Sequence, residues 1–365
     1  MLNNSYLLLD TGALARNAAA LREELGGAKL VPVIKDDAYG LGALAVARTL
    51  LDCGVDTFAV AHVSEGIALR EAGIPATIWV MDIPLPRQIE PAVAADLVLT
   101  LGSFHQLAPL RAAAERAGKR IPIQLKLDTG LHRIGFQEEE LPQLARSLEE
   151  QAPYLRSVGV FSHFATDHAP QMDRQLALLE AMTEQLRALG VETGLRHIGS
   201  SASLELDPRY TLDAVRVGRR LYWDNPVHPT GRIREAASFR AWITDIRSRR
   251  AGDSLAYGDA FRLDRDARVG VLSVGYGDGL SPELFDRHMP VLVRGKRTAL
   301  LACCMDQSFV DLSGLDAEVG DEVTFFGYDE AGNFLSAQEL AARIGANEAC
   351  ALTAALSPRV KRIAG

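Results

Sequence analysis

The chain is poor in sulfur and has no marked excess of positive charge. Among 365 residues there are four cysteines, Cys53, Cys303, Cys304 and Cys350, and none forms a Cys-x-x-Cys pair. So low a count excludes a disulfide scaffold, and the missing spacing argues against a thiolate metal site or a dithiol redox centre. No apolar run approaches the roughly 18 residues that a membrane-spanning helix needs. The opening "MLNNSYLLLD" lacks the basic segment and apolar stretch of a secretory signal. A formal net charge of −8 offers no basic stripe, so nucleic acid is not an expected partner. Free, incidental thiols without a membrane segment fit a reducing cytoplasm.

What is present is an ordinary globular composition, 48% apolar and 24% charged, long enough for two domains. Up to about residue 232 one rhythm repeats: a short apolar run, a turn, then an amphipathic helical stretch. Strand-like runs fall at 28–35, 57–63, 76–81, 97–101, 121–128, 155–164, 195–200 and 211–218. Alternating strands and helices imply parallel pairing, and eight strands favour a (β/α)8 TIM barrel over an open sheet. Beyond 232 the rhythm changes to strand-like runs such as "RVGVLSVGYGDG" and "DEVTFFG" between Gly/Asp turns. The expected organisation is an α/β barrel over 1–232, followed by a mostly β domain over 233–365.

Polar residues gather at the carboxyl ends of the barrel runs, where βα loops carry chemistry. Lys35 ends the first run, Lys126 and Asp128 the fifth, and Ser162 and His163 the sixth. Ser200 and Ser201 end the seventh, and Arg216 to Gly218 the eighth. Any one of these has a structural explanation, such as a satisfied histidine or a salt-bridged arginine. Their convergence is harder to dismiss. A lysine closing an apolar strand is suited to a Schiff base, because desolvation and nearby cations free its amine. "GSSAS" and "RVGRR" offer hydroxyls and N–H groups for a phosphate. Lysine, phosphate donors and a ring-nitrogen partner together point to pyridoxal 5'-phosphate.

Several motifs then coincide with one family. "VIKDDAYGLG", "QLKLDTGLHRIGF", "GVFSHFATDH", "SLAYGDAF", "VGYGDG" and "CCMDQ" stand in the order found in alanine racemases, which the chain resembles from end to end. The resemblance implies an isomerase for L- and D-alanine that uses two bases, Lys35 for the D-enantiomer's hydrogen and Tyr257 for the L-enantiomer's. It places Tyr39, Ser201 and the backbone of Gly218 and Arg219 at the phosphate, and Arg216 at the pyridine nitrogen. His163 and Ser200 lie near the cofactor in the same pattern, and His163 and Arg216 are the expected cations beside the Tyr257 phenol. Lys126 matches a lysine that many relatives carbamylate, where it would orient Arg133 toward the substrate. Met305 and Asp306, with Tyr257, would come from the partner of a homodimer, and Tyr276 would shape the pocket.

The chain departs from the family pattern at four places. Asp36-Asp37 replaces Ala-Asn, Ser200 replaces an asparagine, and Arg219 stands where a small apolar residue is usual. No tyrosine follows Tyr328, so the position of the family's late tyrosine falls to Asn347 or Cys350. An asparagine there is the pattern of serine-accepting racemases, which makes serine the first rival substrate. Barrel-type amino-acid decarboxylases share the architecture, but Arg216 and Tyr257 argue against them. Non-catalytic pyridoxal-phosphate carriers lack the second domain that this chain has.

Overall fold

Short β-branched runs build a parallel sheet within residues 15–38 and 43–221, one of two units into which the chain divides. The computed structural model describes residues 4–224, 230–286 and 288–365. The strands are Lys29–Pro32, Thr57–Val60, Thr77–Val80, Val98–Leu101, Ile121–Lys126, Leu155–Phe161, Leu195–His197 and Ala214–Val217. From the second to the seventh, each pairs in parallel with the next. The eighth pairs in parallel with the first, with Lys29 opposite Ala214 and Val31 opposite Arg216. A bridge between Val33 and Ala59 joins the first strand to the second. The Arg216 N–H donates to the Gly199 carbonyl at 3.2 Å and joins the eighth to the seventh. The ring is closed, as the eight runs led one to expect.

Strands covered on both faces read as continuous apolar runs, and "TFAV", "VLTL" and "AVRV" are buried throughout. One interior cluster is formed by Val31, Ala59, Trp79, Val98 and Ala214. The intervening helices bury residues three and four apart, such as Leu110, Ala113 and Ala114, or Leu141, Leu144 and Ala145. That spacing gives each helix one apolar stripe. The barrel thus delivers eight strand ends to one mouth.

The second unit comprises residues 1–14, 39–42 and 222–365. Six antiparallel pairings close Ala237–Arg249, Ala267–Leu272, Ser308–Asp311, Lys296–Cys303, Pro290–Val293 and Glu322–Tyr328 into a ring. Irregularities at Phe239/Arg240 and Ile243/Asp245 interrupt the long strand Ala237–Arg249. Bulges of this kind bend a strand, and this one pairs along its length with three others. Ser5–Leu9, a run with no strand assignment from sequence, pairs antiparallel with that strand and parallel with Lys361–Ala364. Gly40 belongs to this unit for a steric reason. A Cβ there would lie 2.1 Å from the Thr353 carbonyl oxygen.

Candidate active site

Lys35 lies three residues beyond the end of the first barrel strand, Lys29–Pro32, and is half-buried. After it the backbone enters the left-handed region at Asp36, Asp37, Ala38 and Tyr39, with φ from 53 to 58°. Each such residue costs roughly 1–2 kcal/mol, least for Asp and Asn, whose short polar side chains bond locally. The turn is held by the Asp36 N–H donating to Glu65 Oε1 at 2.6 Å. The Ala43 N–H donates to Asp37 Oδ1 at 2.7 Å, tying the turn to the next helix, Ala43–Asp52. Both aspartates are exposed, so their presence answers to the backbone more than to charge at the lysine.

Arg216, 6% exposed, lies in the eighth strand. Its Nη2 donates to the Ser162 carbonyl at 2.9 Å, the Ile198 carbonyl at 3.1 Å and His163 Nδ1 at 3.0 Å. Its Nη1 donates to His197 Nδ1, and His197 Nε2 in turn donates to Gln124. The His197 ring stacks between Trp79 and Phe161, with centroids 4.8 and 5.0 Å away. Burial pushes the guanidinium down to about 9, so it remains a cation at neutral pH. Burial and the Arg216 charge push His163 down to about 3, and hold His197 well below its ordinary value. This corrects one expectation from sequence. His163 is neutral, and Arg216 alone of the two carries positive charge.

Lys126, at the end of the fifth strand, is 2% exposed and donates to the Leu127 carbonyl at 2.8 Å. Burial, then the Arg216 charge, brings its amine down to about 7, so a large neutral fraction exists near neutral pH. Thr129 and Ser162 exchange a hydroxyl hydrogen bond at 2.7 Å beside it. Burial opposes ionisation of Asp128, but N–H donors from Gly130 and His132 outweigh it and hold the carboxyl below its usual range. Asp128 thereby shapes the loop that presents Arg133, which is exposed.

Ser201 opens the helix Ser201–Leu206 and is 8% exposed. Its Oγ accepts from the Gly218 N–H at 3.2 Å and the Arg220 N–H at 3.4 Å. Ser200 precedes that helix, its N–H donating to Ser203 Oγ at 2.8 Å. The Arg219 side chain turns to Glu205, with Nη2 at 2.9 Å from both carboxylate oxygens.

The β unit carries the remaining residues. Tyr257 begins a turn between the two-residue strands Ser254–Leu255 and Phe261–Arg262 and is 80% exposed. With Cys304, Met305 and Asp306 it lines a cleft of about 410 Å³. Asp306 accepts from Arg359 at 2.8 Å. The Tyr276 N–H donates to the Cys304 carbonyl at 3.2 Å, which fixes that tyrosine to the same segment. Tyr39 packs edge-on to Tyr222, with centroids 6.0 Å apart. Cys350 starts the helix Cys350–Ala355, whose Thr353 carbonyl abuts Gly40. Asn347 instead lines a separate cavity with Trp223 and Tyr328. Sequence reasoning named Lys35, Lys126, His163, Ser201 and Arg216 at barrel strand ends, but not the supporting His197 and Gln124. A histidine closing the strand beside the one that carries Arg216 was the available signal.

The barrel mouth therefore offers an amine just beyond the first strand, a buried cation on the adjacent eighth, and a hydroxyl with two convergent N–H groups. That donor set fits pyridoxal 5'-phosphate: aldehyde, ring nitrogen and phosphate each find a matching group. Models of known families agree with this chemistry. Residues 9–226 match the alanine racemase N-terminal domain, and residues 236–364 the alanine racemase C-terminal domain. The chain belongs to the alanine racemase family. Alanine racemases depend on pyridoxal phosphate. The chain is 35% identical over 339 residues to the alanine racemase of Mycolicibacterium smegmatis, covering 89% of this chain and 86% of the relative. It is 35% identical over 335 residues to that of Nostoc, covering 88% and 86%. Among solved structures, the alanine racemase of D-cycloserine-producing Streptomyces lavendulae superposes with a TM-score of 0.91 at 29% identity, covering 100% and 98%. The Bacillus anthracis alanine racemase with bound L-Ala-P gives 0.90 at 27% identity, covering 99% and 94%.

Proposed function

We propose that this chain interconverts L- and D-alanine with pyridoxal 5'-phosphate, using Lys35 and Tyr257 as bases on opposite faces of the substrate Cα. The observation that carries the reading is Arg216, a buried cation at the barrel mouth held by two carbonyls and two histidines. When bound, the cofactor supplies an electron sink that acidifies the Cα hydrogen. A guanidinium only donates hydrogen bonds, so Arg216 leaves the ring nitrogen unprotonated and that sink weak. Weak delocalisation favours return of the proton over side reactions such as transamination. Lys35 Nζ removes or returns the proton on one face and Tyr257 Oη on the other, each within the range of ordinary general acid–base catalysis. Neutral His163 relays hydrogen bonding rather than charge, so Arg216 carries the positive charge of this pair. Arg133, oriented by a carbamylated Lys126, holds the substrate carboxylate. The near-neutral fraction of the Lys126 amine supports that modification, since only a free amine reacts with carbon dioxide.

In the same reading the contiguous domains are 1–232 and 233–365, with the amino-terminal strand of the first reaching into the sheet of the second. The exposure of Tyr257 and Met305 supports a homodimer in which each subunit completes its partner's site. An active monomer on size-exclusion chromatography would remove that part. No helix among the described residues is long and apolar enough to cross a membrane. With the four cysteines in no disulfide, this supports a cytoplasmic enzyme supplying D-alanine. A second reading, relaxed specificity toward serine, rests on Cys350, one of the two candidates for the position of the family's late tyrosine: its helix abuts Gly40. Such a change is worth about 1–3 kcal/mol of discrimination, which leaves alanine a substrate. The test is a panel of single L-amino acids, each followed by chiral chromatography. Conversion of alanine is expected, with serine second. No conversion of alanine overturns the proposal, and no conversion of serine overturns the relaxed pocket.

A further inference from the structure

Two elements meet at the Ser201 hydroxyl, and their own hydrogen bonds hold them loosely. The helix Ser201–Leu206 provides the oxygen, and the turn Arg219–Leu221 with Gly218 before it provides the N–H groups, at 3.2 and 3.4 Å. Four residues along the same helix from Ser201 stands Glu205. Its carboxylate accepts from Arg219 Nη2 at 2.9 Å on both oxygens, and lies 3.3 Å from Arg220 Nε as an ion pair without a hydrogen bond. Arg220, whose side chain is 0% exposed, extends the chain of charges to Glu24 through two contacts of 2.9 and 3.0 Å. Asn17, on the same first helix as Glu24, donates to the Leu221 carbonyl at 2.9 Å.

We infer that Glu205, Arg219, Arg220 and Glu24 act as a buried clamp that fixes the Gly218 and Arg220 N–H groups against the Ser201 hydroxyl and thereby sets the grip on a phosphate monoester. They are positioning residues, and the inference rests on the reading that this mouth holds pyridoxal phosphate. Exposed ion pairs contribute little, but buried bidentate ones impose geometry, and removing one partner strands a charge. Two carboxylates match two guanidiniums, so the clamp adds no net charge. Arg219 is committed to Glu205, and the phosphate is recognised by backbone dipoles and a hydroxyl. The alanine racemase pattern expects a small apolar residue at position 219, so the clamp is a feature of this chain.

The test titrates the cofactor-free protein with pyridoxal 5'-phosphate and, separately, with pyridoxal, reading visible absorbance of the bound compound. Glu205→Gln keeps the side-chain shape and removes its charge. It is expected to weaken the phosphorylated compound about tenfold while moving pyridoxal by less than about twofold. Equal losses for both compounds, or no loss for either, overturn the clamp. Should Glu205→Gln fail to fold, Arg219→Leu is titrated in the same way. It leaves Arg220 between its two acids, so the ratio of the two affinities should fall in the same direction by less. An unchanged ratio overturns the inference. Wild-type protein that binds neither compound overturns the pyridoxal-phosphate reading itself, a result distinct from either failure of the clamp.

Discussion

In the barrel unit Lys126, His197, Ser201 and Arg216 are buried, whereas Tyr257, Met305 and Tyr276 of the β unit are 80%, 52% and 41% exposed. The barrel groups have their charge states imposed by desolvation and by one another. Arg216 suppresses positive charge on both histidines and on Lys126. The β-unit groups stand at the surface of their own unit. If the proposed homodimer forms, the site would have a built half in the barrel and a borrowed half from the partner's β unit. The built half should survive changes that destroy the borrowed one.

The sharpest break of that comparison removes one base from each half. On the proposed roles, Lys35→Ala would remove the cofactor's covalent anchor together with one base, so racemisation should fall by about 10⁴-fold or more. The visible absorbance of a lysine-linked cofactor should vanish with it. Tyr257→Phe should cost about 10²–10⁴-fold in kcat yet leave that absorbance intact. Chiral chromatography with a parallel spectrum checks both variants. Loss of bound cofactor from Tyr257→Phe would show that Tyr257 belongs to the cofactor-holding half, against the proposed division.

A smaller effect separates the two units by pH. His163 falls from 6.5 to about 3 on folding, so between those values the unfolded chain binds more protons and stability rises with pH. Glu235, in the β unit, moves the other way. Burial raises it from 4.5 to about 8, against one N–H donated by Ala337 at 3.1 Å. The folded chain then holds the extra proton, and stability is lost as pH rises from 4.5 through 8. Glu235→Gln should therefore gain on the order of 5 kcal/mol relative to wild type between about pH 4 and pH 9. His163→Gln should flatten the acid limb instead. Urea midpoints across pH for the three proteins test this, and parallel curves would sink it.

The eight barrel strands were legible because each is a short apolar run bounded by turns, and Lys35 and Arg216 because a charge closing such a run is conspicuous. His197 was not. It looks like a strand-end core residue, and its role needs Arg216 on the neighbouring strand and two aromatic rings remote in sequence. Ser5–Leu9 offered five residues with no visible partner, because that partner begins at Ala237. Arg219 read as a departure from a small apolar residue. Only its approach to Glu205 reveals an internal ion pair. Burial, too, reverses the expectation at His163, where sequence suggests a cation and desolvation leaves a neutral ring.

The smallest effect concerns Asp36, which adds negative charge beside Lys35 where the family usually has alanine. The backbone accounts for it without the charge: φ is 53° and ψ 47°, and the residue is exposed. Aspartate is enriched in that left-handed region and alanine is not. Asp36→Ala should thus destabilise the protein by about 0.5–1 kcal/mol, and Asp36→Asn by almost nothing. Racemisation by Asp36→Asn should match wild type at low and high salt alike, because an exposed carboxylate is largely screened. If Asp36→Asn instead shifts the pH profile of kcat while Asp36→Ala leaves the urea midpoint unmoved, the aspartate acts on the lysine's charge and the backbone account fails.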